Sequence, residues 1–322
     1  MKSRLAMTIA CILIAAQASC GGASQAPPPE TVEVEPEPEP EPATEAEPEP
    51  EEPKVDTKQK ALDDAFVEAV GDHDWTAAWA SLSKGAKASA VTGKVGLEDL
   101  HIAALEGGLE KVEKLVEEGA DVTTESSGSQ TPLHMACLVG SKDVAEFLLS
   151  RGAEIEGRDF VGYSSLGFAA LGGHLELVQF LVQEKGAKAG KKKGVEGCSA
   201  LYPAVEAGNL EMVKYIVKKG ARAKDLCGTG NTALHLAAGK DLLEIAKFLL
   251  SKGGKANLRN DNGATPLHFA ARDCPEESSC VEMAKILMKK GADKSFMDGA
   301  DMMPFDYAAE NNNSELVEIL QL

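Results

Sequence analysis

One tetrapeptide returns along this chain at an almost fixed interval. Thr131-Pro132-Leu133-His134 has close copies at Thr232-Ala233-Leu234-His235 and Thr265-Pro266-Leu267-His268. Looser copies are Ser164-Ser165-Leu166-Gly167 and Ser199-Ala200-Leu201-Tyr202, and worn ones are Glu98-Asp99-Leu100-His101 and Met303-Pro304-Phe305-Asp306. The copies start at 98, 131, 164, 199, 232, 265 and 303, so the steps are 33, 33, 35, 33, 33 and 38 residues. A fixed period near 33 signals an array of stacked units, here numbered first to seventh.

Each unit reads as two helices. Thr131 suits an N-cap, and Pro132 suits the first helical position, where a missing N–H costs nothing. Ala136 is small enough for close helix packing, and Gly140 marks a stop, with Gly107, Gly173 and Gly208 at like offsets. A second helix follows, with Val144, Phe147 and Leu148 sharing a face, and Gly152-Ala153 ends it. About ten residues then lead to the next cap, enough for a projecting hairpin, and Gly162, Gly197, Gly230 and Gly263 stand two residues before their caps. No single unit buries its apolar face; its neighbours do.

This period and tetrapeptide resemble the ankyrin repeat. The resemblance covers residues 60–322 and implies an all-α solenoid of helix-turn-helix units with projecting β-hairpin loops: about seven repeats behind a degenerate N-terminal cap. In that cap Ala69, Ala77, Leu82 and Gly85-Ala86 align with Ala136, Val144, Leu149 and Gly152-Ala153. The resemblance also implies that the fourth residue, as in His101, His134, His235 and His268, ties its helix start to neighbouring backbone rather than to a metal.

The net charge of −18 argues against nucleic acid, whose phosphates want a basic face. The charge is uneven: residues 27–53 hold 11 Glu, ten of the fifteen Pro and no Lys or Arg. Like charges and proline deny that run a helix, so residues 20–59 read as a disordered linker, of which the run 27–53 alone could reach roughly 80 Å at about 3.1 Å per residue. Residues 1–19 read as an export signal, with Lys2 and Arg4 ahead of a short apolar stretch from Leu5 to Ala16. Ala18-Ser19-Cys20 resembles a bacterial lipobox, which makes Cys20 the lipidated N-terminus, although Gln17 stands where that motif carries an aliphatic residue. An ordinary cleaved signal is the alternative. A lipid on Cys20 implies membrane attachment in the bacterial envelope, and Gly21 after it resembles cargo of the outer membrane, facing periplasm or surface.

The sixth unit carries extra residues between its helices, Cys274 to Cys280, which read as a local disulfide in an exported chain, against free thiols or a metal site. Cys137 reads as a buried small residue, and a bridge between Cys198 and Cys227 is left open. His73 and His174 read as solvated.

No nucleophile elbow, metal-protease motif or phosphate loop is present, so no enzyme, cofactor, metal or small-molecule substrate is expected. What remains is surface. The hairpin tips and first helices of a solenoid present a long face to another protein. The candidates there are Arg158, Phe160, Lys192, Lys193, Leu226, Arg259 and Phe296, since aromatic and Arg anchors dominate interfaces. The functional expectation is an envelope protein that binds another protein as scaffold, inhibitor or protective partner. The alternatives are a passive spacer, and an enzyme using the Lys191–Lys193 finger.

Overall fold

The computed structural model describes residues 57–72, 74–91, 97–190, 197–273 and 277–321. Cys20, the Pro-Glu run, His73, Lys192, Lys193 and Cys274 lie outside the described residues.

Helices follow one another in pairs. An N-terminal pair, α1 (Thr57–Gly71) and α2 (Trp75–Ser83), is followed by a 3-10 turn at Ala88–Val91. The seven repeats then contribute α3 (Asp99–Glu106) with α4 (Leu109–Glu117), α5 (Pro132–Val139) with α6 (Lys142–Ser150), and α7 (Ser165–Leu171) with α8 (Leu175–Gln183). Next come α9 (Leu201–Glu206) with α10 (Leu210–Lys218), and α11 (Ala233–Gly239) with α12 (Leu243–Ser251). The row continues with α13 (Pro266–Arg272), α14 (Glu277–Lys289), α15 (Pro304–Glu310) and α16 (Ser314–Leu320). First helices stack on first helices, α3 on α5 through to α13 on α15, and second helices follow. The fifth position after each cap is Ala103, Ala136, Ala169, Ala204, Ala237, Ala270 or Ala308, and all seven are completely buried. A methyl is the largest group that lets these short helices touch along their length.

Cap positions follow the tetrapeptide with one exception. Glu98, Thr131, Ser164, Thr232, Thr265 and Met303 are the N-caps, but α9 is capped by Ala200, one residue after the expected Ser199. Pro203 is the reason. In the first, second, third and sixth repeats the cap carbonyl accepts from the N–H four residues on, as Thr131 does from Met135 at 3.3 Å. Pro203 has no N–H, so the Ser199 carbonyl accepts from Tyr202 instead, at 3.2 Å.

Three expectations change in other ways. The hairpins are mostly turns: among the described residues one two-stranded ladder forms, β1 (Leu226–Cys227) with β2 (Asn231–Thr232), and a single bridge joins Arg158 and Ser164. The extra residues of the sixth repeat are not all loop, because Glu277 to Cys280 form the first turn of a 13-residue α14. The N-terminal pair is not the next brick in the row. It packs α1 against α2 and the 3-10 turn, without the stacking on α3 that later first helices show. Trp79 of α2 instead lies edge-on to His174 of the third repeat, ring centres 5.4 Å apart. His174 is therefore half-buried rather than solvated, and its Nε2 bonds the Leu138 carbonyl at 2.9 Å.

Candidate protein-binding face

The loops before each cap form a row of fingers, and one side chain shapes each turn. Five residues before the cap, Ser126, Asp159, Asn260 and Asp298 accept hydrogen bonds from backbone N–H groups two to four residues on. Asp159 Oδ1, for example, takes Gly162 N–H at 2.9 Å and Tyr163 N–H at 2.7 Å. In the fifth repeat this place belongs to Cys227, and it is joined by a disulfide to Cys198, the residue before Ser199. The same two places meet one step along, where Asn260 Nδ2 donates to Asn231 Oδ1 at 2.9 Å. Earlier in the row they hold Gln130 and Asp159. The Gln130 side chain helps hold the Asp159 carboxylate charged against the burial that pushes its pKa up, although Gln130 Nε2 and Asp159 Oδ2 make no hydrogen bond of standard geometry. The disulfide is thus one covalent rung in a ladder of polar ones, each spanning 29 residues.

Backbone bonds fix the finger spacing. Phe160 donates to Gly128 at 2.9 Å, Cys198 to Gly162 at 3.0 Å, Asp261 to Thr229 at 3.1 Å and Gly299 to Asn262 at 2.7 Å. Fingers this close need glycine: Gly162 has φ 95°, and a Cβ there would collide with the Gly197 Cα.

Between the fingers runs a groove of about 580 Å³, lined in part by Gly162, Gly197, Gly228 and Gly230 and by the acids Asp159 and Asp261. Three of the seven candidates line it: Arg158, Phe160 and Leu226. Phe160 is 81% exposed and Leu226 42%, unusual values for large apolar side chains. Arg158 is tied down, its Nη1 donating to the Gly162 carbonyl at 2.6 Å and the Cys198 carbonyl at 2.8 Å, so it braces the groove wall. Arg259 and Phe296 meet elsewhere. The Arg259 guanidinium lies 5.9 Å from the Phe296 ring centre and bonds the Gly263 and Met297 carbonyls, with Met297 half exposed beside them.

The inner face of the first helices divides in two. Four and seven residues after the cap, the first three repeats place Ile102, Leu105, Met135, Leu138, Phe168 and Leu171, all buried. The sixth and seventh repeats place Phe269, Arg272 and Tyr307 there, lining a groove of about 490 Å³ with Asn231, Asn260 and Asp298. Arg272 stacks over Phe269 at 4.8 Å and Tyr307 at 5.8 Å while pairing with Asp273. Sequence reading passed over Arg272 and Tyr307. Comparing these two positions from repeat to repeat would have shown the change from aliphatic to charged and aromatic.

The tetrapeptide histidines do structural work. His101, His134, His235 and His268 each accept the N–H of their cap residue at Nδ1, at 3.0–3.2 Å. A ring nitrogen that accepts carries no proton, so Nε2–H is the donor, and it bonds the carbonyls of Gln130, Gly157, Ala264 and Met302 in the next fingers. Asp306 takes the same role in the seventh repeat, accepting Met303 N–H at 2.7 Å. Burial lowers all four histidines, His134 and His235 to about 4. Tyr202 replaces histidine in the fourth repeat, and its hydroxyl reaches Asn231 instead.

Among the described residues no group of three or more His, Cys, Asp or Glu side chains is placed to hold a metal, and no helix is long and apolar enough to cross a membrane. Cys137 is a buried free thiol, raised by burial, and Cys280 is disulfide-bonded, while its expected partner Cys274 lies outside the described residues.

A family model described as ankyrin repeats (3 copies) matches residues 70–159, 100–193, 166–260 and 238–321. The human ASB11 ankyrin repeat domain, a crystal structure, is 26% identical with a TM-score of 0.55 over 70% of this chain and 99% of that one. No curated protein matches the sequence. Solved chains that match number 609, so the shape alone names no partner. With the model covering most of the chain and the fingers and helix pairs in place, the chain belongs to the ankyrin-repeat family.

Proposed function

We propose that this protein binds another protein across the finger groove between Phe160 and Leu226 and along the inner face beyond it. The observation that carries this reading is Phe160: its backbone is pinned to the preceding finger, yet its ring is 81% exposed opposite a second exposed apolar side chain. With its backbone already held, an aromatic side chain has only two torsions to lose when a partner covers it, so its burial costs little entropy for its area. The polar groove around Arg272 and Tyr307 supplies a rim of hydrogen-bonding groups. A cell-envelope location, with a lipid on Cys20 as the anchor, is supported by the apolar stretch behind Lys2 and Arg4 and by small residues ahead of the cysteine. The disulfide between Cys198 and Cys227 suits an oxidising compartment. In that setting the protein acts as a scaffold, inhibitor or protective partner.

One experiment tests both parts. Full-length chain, Cys20→Ser and the double variant Phe160→Ala/Leu226→Ala are produced in bacteria, cross-linked in the cells and fractionated. The parent should sediment with membranes and trap a discrete partner. After a high-salt wash, which strips charge-held protein but not a lipid anchor, Cys20→Ser should be in the soluble fraction. The double variant should stay with membranes and lose partner capture at least about ten-fold. Undiminished capture by the double variant rejects the groove, and membrane retention of Cys20→Ser rejects the anchor.

A further inference from the structure

The second helices carry a pattern that binding through the fingers does not use. Sixteen residues after the cap, four consecutive repeats place an aromatic ring: Phe147, Phe180, Tyr215 and Phe248. Each ring lies beneath a cation from the end of its own helix. The Arg151 guanidinium is 4.7 Å from the Phe147 ring centre, Lys185 is 5.0 Å from Phe180, Lys219 5.5 Å from Tyr215 and Lys252 5.6 Å from Phe248. Lys142 of the preceding repeat also reaches Phe180, at 4.5 Å, so that ring is held between two cations.

One cation at a helix C-terminus is explained by the helix dipole, and a ring beneath it adds cation–π attraction. The pattern exceeds that explanation. Lys218 adds a second charge beside Lys219, and Lys188, Arg222 and Lys255 extend the row just beyond the helix ends. Several acids of these helices are neutralised locally, Glu211 by Lys214 at 2.7 Å, Glu244 by Lys247 at 2.8 Å and Glu146 by Lys185 at 2.9 Å, and Arg222 is itself paired with Asp225 at 2.8 Å. Among the described residues Lys188, Lys218, Lys219, Lys252 and Lys255 have no carboxylate within 4 Å, and all five are exposed. A chain of net charge −18 thus keeps one rim of its third to fifth repeats cationic.

We propose that this rim docks onto anionic phospholipid. Charge complementarity selects an anionic partner. The cations are almost all lysine, compact charges drawn by the field of a headgroup layer, without the guanidinium fork that reads individual carboxylates or phosphates in pairs. Ring seats hold the charges in register along three repeats, as a surface of repeating headgroups requires. Lipid contact uses second-helix residues, whereas the partner groove uses finger tips and first helices, so the two proposals stand or fall separately.

Cosedimentation of the full-length chain carrying Cys20→Ser, which leaves no site for a lipid, with vesicles provides the test. The chain should bind phosphatidylglycerol–phosphatidylcholine vesicles well above its binding to phosphatidylcholine alone, and salt should weaken the difference. Each rim cation near the surface is worth about five-fold, so Lys218→Gln/Lys219→Gln/Lys252→Gln/Lys255→Gln should lower affinity several hundred-fold, to an order of magnitude. Lys214→Gln/Lys247→Gln removes ion-paired lysines of the same helices and should leave binding within about three-fold. Unchanged binding by the quadruple variant, equal loss in the ion-paired control, or binding to polyglutamate with none to the anionic vesicles each overturns the proposal. Thermal melts confirm that the variants are folded.

Discussion

The repeats that keep the tetrapeptide histidine and the two central repeats that lack it perform one task with different bonds. In the first, second, fifth and sixth repeats a neutral imidazole links the cap N–H to a carbonyl in the next finger. The third and fourth repeats carry Gly167 and Tyr202 at that place. There Arg158 bonds the Cys198 carbonyl of the next finger, Tyr163 donates to Glu206 at the end of α9 at 2.8 Å, and a disulfide joins Cys198 to Cys227. Replacing a histidine tie by a covalent one moves the sensitivity of the array. Histidine ties respond to protons, and the central tie responds to thiols.

The largest expected effect is of pH. The unfolded chain protonates His134 and His235 near 6.5, and the folded chain protonates them only near about 4, because burial disfavours the imidazolium. Their stabilisation is complete above pH 6.5 and is lost as pH falls toward 4. By pH 5 the loss is about 2 kcal/mol for each of these two histidines. Amide exchange at pH 5 should show the histidine repeats losing protection ahead of the third and fourth; uniform loss, or loss from the centre first, breaks the comparison. The next effect is of the disulfide. Replacing Cys198 and Cys227 together by Ser should cost about 3 kcal/mol, read as a lower denaturant midpoint. Exchange should then be fastest in the central fingers, the reverse of the acid pattern. An unchanged midpoint would mean that Arg158 and Tyr163 suffice. The smallest effect is of Gly162→Ala, about 2 kcal/mol from the collision with Gly197 and the left-handed backbone. The equivalent place two residues before the second cap, Ser129, already holds φ 57° with a side chain, so Ser129→Ala should cost well under half as much.

Much of this fold was legible as period. The caps at Thr131, Thr232 and Thr265, the glycine stops and the buried alanines repeat local chemistry, and local chemistry is what a sequence spells out. The later cap of the fourth repeat was also within reach, since Pro203 announces its missing donor. The candidate face was legible only in part. Counting back from the caps found Phe160 and Leu226, but it gave Arg158 a partner-facing role without showing the two carbonyls that hold its guanidinium. The orientation of a side chain at a finger tip depends on the neighbouring finger, some 30 to 40 residues away.

The chain by itself determined the row of two-helix units, because apolar spacing, caps and stops act within a few residues and recur every 33 to 38. Tertiary structure alone decided that Cys198 meets Cys227, that Trp79 lies on His174 instead of the N-terminal pair extending the row, and that Phe160 stays exposed. Those outcomes depend on distances between units, and such distances are set only when neighbouring units pack and fix each other's loops.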